Sequence, residues 1–233
     1  MAWLLRAAGD VPRRPRAESA GVVHHVINRA SRRTTLFATD EDYLMMEGVL
    51  FAARHRFGMR LLDWAIMRNH WHLILWPEYD LQLSRFMHWM TTTHTQRWHA
   101  ARRSTGTGPL YQGRYKAIPV QSDDHLLTVA RYVQRNPVRA SLVDRVEDWR
   151  WSSAWRRCGK RHLPPPDRWP MPEPADWTTF ANEAMNQVEL SRVREAIACG
   201  WPYGDRDWTK DMARIFALKR TFRAQGRPCR NCK

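Results

Sequence analysis

MRLLDWAIMRNHWHLILWP, residues 59–77, decides the fold. Two apolar runs, residues 59–67 and 70–76, are separated by the polar pair Arg68 and Asn69 and closed by Pro77. Short runs rich in aromatic and branched residues between breakers read as consecutive strands. Upstream, residues 41–56 carry Tyr43, Leu44, Val49, Leu50 and Ala53 as the apolar stripe of a helix, with Asp40 as its expected N-cap and Gly58 as its stop. Before that helix, Val22, Val23, Val26 and Ile27 gather around His24 and His25 in a strand expected to end near Asn28.

Downstream of Pro77 the pattern gives a helix over residues 81–103, a Gly-rich turn over 104–109 and a strand or extended segment over 111–120. A further helix over residues 123–135 is ended by Asn136 and Pro137, because the residue before proline avoids the helical region. The order strand, helix, strand, strand, helix, strand, helix predicts an α+β fold. It is a ferredoxin-like or RRM-like split-βαβ antiparallel sheet with helices on one face, followed by a helical basic C-terminal extension. Four segments are expected: a basic arm over 1–19, the main domain over 20–158, a proline-rich linker over 159–175, and helices with a basic tail over 176–233. Helices are expected over residues 176–198 and 207–222.

The chain has 38 Lys plus Arg against 23 Asp plus Glu, a formal charge of +15 over 233 residues. With 43% hydrophobic residues and 13 Trp it is no disordered basic chain, since it has apolar surface enough to offset ordering entropy. The charge points to a polyanion, and arginines scattered among Trp, His and Tyr suit phosphate forks and base stacking better than an amphipathic membrane helix. No apolar run approaches the roughly 20 residues that span a bilayer. The opening MAWLLRAAGD runs into arginines rather than a signal cleavage site. Cys158, Cys199, Cys229 and Cys232 are too few to frame the fold, so the expected setting is a reducing cytoplasm.

Alternation along residues 70–76 points His70 and His72 to one face and Trp71 and Leu73 to the other. Two such imidazoles, about 6 to 7 Å apart, can share a metal ion. The plain alternative is a pair of half-exposed sheet histidines. In ARYVQRNPVRA, residues 130–140, Tyr132 and Asn136 stand one helical turn apart on a shared face. A phenol is a poor nucleophile unless its electrophile is polarised or positive charge lies near, and an amide oxygen suits a hard cation as a further ligand. Here the alternative is that Tyr132 packs and Asn136 caps the helix end.

Four ordered pieces, VVHHVINRASRR, MRNHWHLILWP, LYQGRYKAI and ARYVQRNPVRASLV with the following DWRWSSAW, make the chain resemble the HUH single-tyrosine transposases of the insertion-sequence type. It is most similar to their chromosomal relatives, the REP-associated tyrosine transposases. The resemblance implies that His70 and His72 are the metal-binding pair, Asn136 the third ligand and Tyr132 the nucleophile. It implies Mg²⁺ or Mn²⁺, no nucleotide cofactor, and cleavage and rejoining of single-stranded or hairpin DNA through a 5′-phosphotyrosine. Tyr111 and Tyr115 are the rival nucleophiles. Asn28, Arg29, Arg32, Arg33, Arg114, Lys116, Arg135 and Arg139 are candidate DNA contacts, as is Arg227 in a tail sequence, QGRP, that resembles a minor-groove hook.

Cys229 and Cys232 form a lone C-x-x-C, which is weak grounds for a zinc site. The expected location is the bacterial nucleoid, with no membrane partner. Relatives built as one chain and relatives with swapped helices both exist, so a homo-oligomer stays open. The competing functions are a hairpin-binding protein that does not cut and a metal-dependent nuclease that uses water.

Overall fold

The computed structural model describes residues 20–159, 164–216 and 218. The predicted arm over 1–19, Arg227 and the Cys229–Cys232 pair lie outside the described residues.

The strands are β1 (Val23–Arg29), β2 (Arg60–Met67), β3 (His70–Trp76) and β4 (Lys116–Val120). The helices are α1 (Asp40–Phe57), α2 (Gln82–Ala101), α3 (Asp124–Gln134), α4 (Asn136–Arg139), α5 (Ser153–Arg157), α6 (Trp177–Asn182), α7 (Gln187–Cys199) and α8 (Arg206–Ile215). The sheet runs β2-β3-β1-β4 with every neighbour antiparallel, the split-βαβ arrangement. Residues 59–77 form the β2–β3 pair turned through Arg68 and Asn69.

Local chemistry explains the ends. Gly58 stops α1 at φ 60°, a left-handed conformation that costs glycine little. At its start the N-cap is Thr39, not Asp40: Thr39 and Asp42 form a capping box, and Asp40 is already the first helical residue. Residues 176–198 form two helices rather than one. Asp176 caps α6, and a capping box of Asn186 with Glu189 starts α7. The last helix is started by Asp205, which accepts from the amides of Asp207 and Trp208.

Helices cover both faces of the sheet rather than the one expected, and each face carries its own core. Val26, Trp64, Trp71, Leu73 and Leu75 face α1 and α2. Ile27, Ala65, Ile74, Ile118 and Val120 face α3, joined by Trp169, Trp177, Leu190, Val193 and Ala196 from the later part of the chain. The proline-rich stretch lies along the surface, where Asp167 accepts from the Leu61 amide at 2.7 Å and pairs with Arg54 at 2.7 Å. Trp149 and Trp151 bind the segment after α4 to the domain: Trp149 Nε1 donates to the Ile66 carbonyl at 2.9 Å, and Trp151 stacks on Tyr43 at 4.6 Å.

Candidate active site

Strand alternation puts Arg29, Ile27 and His25 of β1 on the face shared by His70, His72 and Ile74 of β3, with Arg29 opposite His70 and Ile27 opposite His72. The imidazoles of His70 and His72 stand 5.0 Å apart between centroids. Helix α3 lies over this face and brings the Tyr132 ring to 5.9 Å from His72 and 6.1 Å from His25.

What holds α3 there is a buried polar cluster around Gln134, two residues beyond Tyr132. Gln134 and Ser153 both donate to Oδ1 of Asp63 on β2, and Gln134 Nε2 also reaches Ser153 Oγ at 2.6 Å. Asp63 is fully buried, and burial raises its carboxyl to about 8. Among the described residues its other oxygen, Oδ2, has no hydrogen-bond partner.

Helix α3 ends at Gln134, and Asn136 closes it: Asn136 Nδ2 donates to the carbonyls of Tyr132 at 3.1 Å and Val133 at 3.3 Å. The amide oxygen of Asn136 accepts from Arg139 at 2.7 Å, and the Arg139 guanidinium lies 4.2 Å over the Tyr132 ring. Burial lowers Arg139 to about 10, an effect that Tyr132 opposes and Arg194 and Arg135 reinforce, so it is charged at neutral pH.

His70, His72, Tyr132 and Asn136 line one cavity of about 270 Å³, together with Arg29, Arg139 and Arg194. The two imidazoles fit a metal ion. The Nδ1 of His70 is 2.7 Å from Asn69 Oδ1, and the Nδ1 of His72 is 2.9 Å from His25 Nε2. With both Nδ1 atoms engaged, each ring keeps Nε2 as its free donor. Burial lowers His70 to about 4, with Arg29 adding to it, and holds His72 well below the usual range, so both rings are in the neutral form that ligates. Among the described residues no three His, Cys, Asp or Glu side chains form a metal group. The Asn136 oxygen keeps a second lone pair besides the one Arg139 uses.

The other sequence candidates are spread out. Arg29 and Arg139 are at the cavity. Asn28 and Arg114 line a second cavity of about 540 Å³ on the opposite face, beside His88, Thr91 and Tyr111. Arg32 and Arg33 form an exposed turn after β1. Lys116 donates to the carbonyls of Ile197 and Ala198 at 2.8 and 3.1 Å, and Arg135 donates to the Asn182 carbonyl. Of the rival tyrosines, Tyr111 is buried on the far face between His94 Nδ1 at 2.7 Å and Trp71 Nε1 at 3.1 Å. Tyr115 lines the second cavity.

Three contributors escaped the sequence reading. His25 holds no ligand spacing to His70 or His72, and only the strand register makes it a neighbour of His72. Asp63 is a lone acid in an apolar run, which was itself a signal for a buried network. Arg194 sits in a helix far along the chain, with nothing local to tie it to the cavity.

Among solved structures, the chain is similar to a REP-associated tyrosine transposase bound to a REP hairpin, at 20% identity and TM-score 0.52, over 75% of this chain and 98% of that one. The likeness extends to the fold. A candidate transposase from Deinococcus radiodurans is similar at 17% identity over 53% of this chain and 96% of that one, with a TM-score of 0.36. Among curated proteins no match is found. The family model described as "Transposase IS200 like" matches residues 19–136, just over half of the 233 residues, and the chain therefore belongs to the IS200-like transposases.

Proposed function

We propose that this transposase cleaves and rejoins single-stranded DNA beside a hairpin, in the manner of the REP-associated branch, with Tyr132 as nucleophile. The observation that carries the reading is the single cavity that holds His70, His72, Tyr132 and Asn136 among three arginines, with no carboxylate in its lining. His70 and His72 through Nε2, and Asn136 through Oδ1, would hold Mg²⁺ or Mn²⁺; imidazoles favour Mn²⁺ on softness grounds. When bound, that cation polarises the scissile phosphate and offsets the charge building on it.

The protein's own residues do the rest. The Tyr132 oxygen attacks phosphorus, the P–O3′ bond breaks, the phenol loses its proton and the departing 3′-oxygen gains one. The resulting 5′-phosphotyrosine conserves the bond, so attack by another 3′-hydroxyl rejoins strands without a nucleotide cofactor. Arg139 and Arg29 supply positive charge to the phosphate from fixed positions, which favours the transition state over the ground state. The solved REP-associated relative was bound to a REP hairpin, and this supports hairpin DNA as the partner here.

One observation favours the second reading, a hairpin-binding protein that does not cut. The Asn136 amide already makes the bonds of a helix cap, to Tyr132 and Val133, and is held by Arg139. Incubation of the full chain with labelled hairpin oligonucleotides carrying randomised flanks, in Mn²⁺, separates the readings on a denaturing gel. The transferase leaves a protein–DNA adduct, a water-using nuclease leaves only free product, and a binder leaves intact DNA.

A further inference from the structure

We propose that Arg194 of α7 is a phosphate contact of the active site, so that the C-terminal helices complete the DNA pocket from within the same chain; this rests on the DNA-cleaving reading above. The family match ends at residue 136, and α7 lies 50 residues and more beyond it. Yet Arg194 and Ile197, one helical turn apart, line the same cavity as His70, His72 and Tyr132.

The docking of α7 is fixed by three kinds of contact. Leu190, Val193 and Ala196 are buried in the core shared with α3. Arg131 on α3 grips both oxygens of Glu189 at 3.1 Å. At the other end Lys116 donates to the free carbonyls of Ile197 and Ala198, where a cation suits the negative end of the helix dipole. Lys116 sits opposite Ile27 at the edge of the site, so this bond ties α7 to the strand beside the cavity.

Charge then says what the cavity takes. Arg29, Arg139 and Arg194 come from three separate elements and converge on about 270 Å³. Nη1 of Arg139 is buried and has no hydrogen-bond partner among the described residues. Arg194 is exposed and makes no hydrogen bond or ion pair among the described residues. The acids of α7 are elsewhere: Glu189 is engaged by Arg131, and Glu195 lines a different hollow with Arg192 and Tyr203. Three like charges lining one cavity with no carboxylate repel, and the two non-bridging oxygens of a phosphodiester, which share one negative charge, relieve this while accepting forked N–H donors.

The test uses the full chain and fluorescein-labelled (dT)20, with binding followed by anisotropy across a NaCl series in Mn²⁺. Arg194→Ala is expected to reduce the slope of log K against log[salt] by about 0.7, the loss of one single-strand phosphate contact. Arg194→Lys should restore most of that slope. Arg192→Ala, whose side chain lies over the Tyr203 ring at 5.8 Å and away from the cavity, should leave it unchanged. An unchanged slope in Arg194→Ala, or an equal loss in Arg192→Ala, overturns the proposal. Adduct formation by the wild type is scored in parallel: its absence sinks the cleavage reading, while the Arg194 slope still decides the contact.

Discussion

His25 Nε2 and His72 Nδ1 stand 2.9 Å apart, diagonal neighbours on one face of the β1–β3 ladder. Because burial holds His25 neutral, with a value lowered to about 3, its Nε2 can accept the Nδ1 proton of His72, which leaves the lone pair of that ring on Nε2. If His72 ligates the cation as proposed, His25 is its positioning residue. His25→Phe fills the same space without an acceptor, and we expect about 10- to 100-fold weaker Mn²⁺ binding by titration calorimetry. His25→Gln, which offers a side-chain oxygen, should recover part of it. Equal affinity in wild type and His25→Phe contradicts the role.

Asp63 gives a pH signature for stability. Its carboxyl is raised in the folded protein to about 8 from the ordinary 3.8, so the folded state holds a proton that the unfolded chain releases. The stabilisation is fully present below about pH 4, declines as pH rises towards 8, and is lost above it. Burial lowers His25, His70, His72 and His94, and these titrate in the opposite sense, so the Asp63 effect is read as the difference between two proteins. Between pH 5 and 8 the unfolding free energy of the wild type should fall relative to that of Asp63→Asn, which lacks the titrating group, by an amount on the order of a few kcal/mol. Parallel profiles for the two proteins would show that Asp63 is not the group responsible.

Tyr111 separates structure from chemistry. Its hydroxyl bridges His94 and Trp71 on the face away from the cavity, and burial pushes the phenol up. Tyr111→Phe strands a buried imidazole nitrogen and an indole N–H, which costs about 1–3 kcal/mol in denaturant unfolding. Adduct formation with hairpin DNA at a temperature where the variant is folded should persist. Loss of the adduct in a folded Tyr111→Phe protein would reopen its candidacy as nucleophile.

How far the chain could be read in advance follows the range of each determinant. The β2–β3 pair, the stop at Gly58 and the shared face of His70 and His72 depend on neighbours within a few residues, so they were legible. The start of α1 was misplaced by one residue, because Asp40 and Thr39 are both good caps and only the Thr39–Asp42 box decides between them. The break between α6 and α7 had a local signal in Asn186 and Glu189, three residues apart, that the apolar pattern obscured. His25 and Arg194 were not legible, since the first depends on pairing across 47 residues and the second on which side of α7 meets the sheet.

The most direct test of the account is the chemistry of one side chain. Full-length protein is incubated with labelled hairpin oligonucleotides carrying randomised flanks in Mn²⁺, denatured, digested with protease and analysed by mass spectrometry. A nucleotide is expected on the peptide that contains Tyr132, an adduct absent from Tyr132→Phe and absent when the cation is chelated, while Tyr132→Phe still binds the hairpin. An adduct on any other residue, or one that survives in Tyr132→Phe, contradicts it.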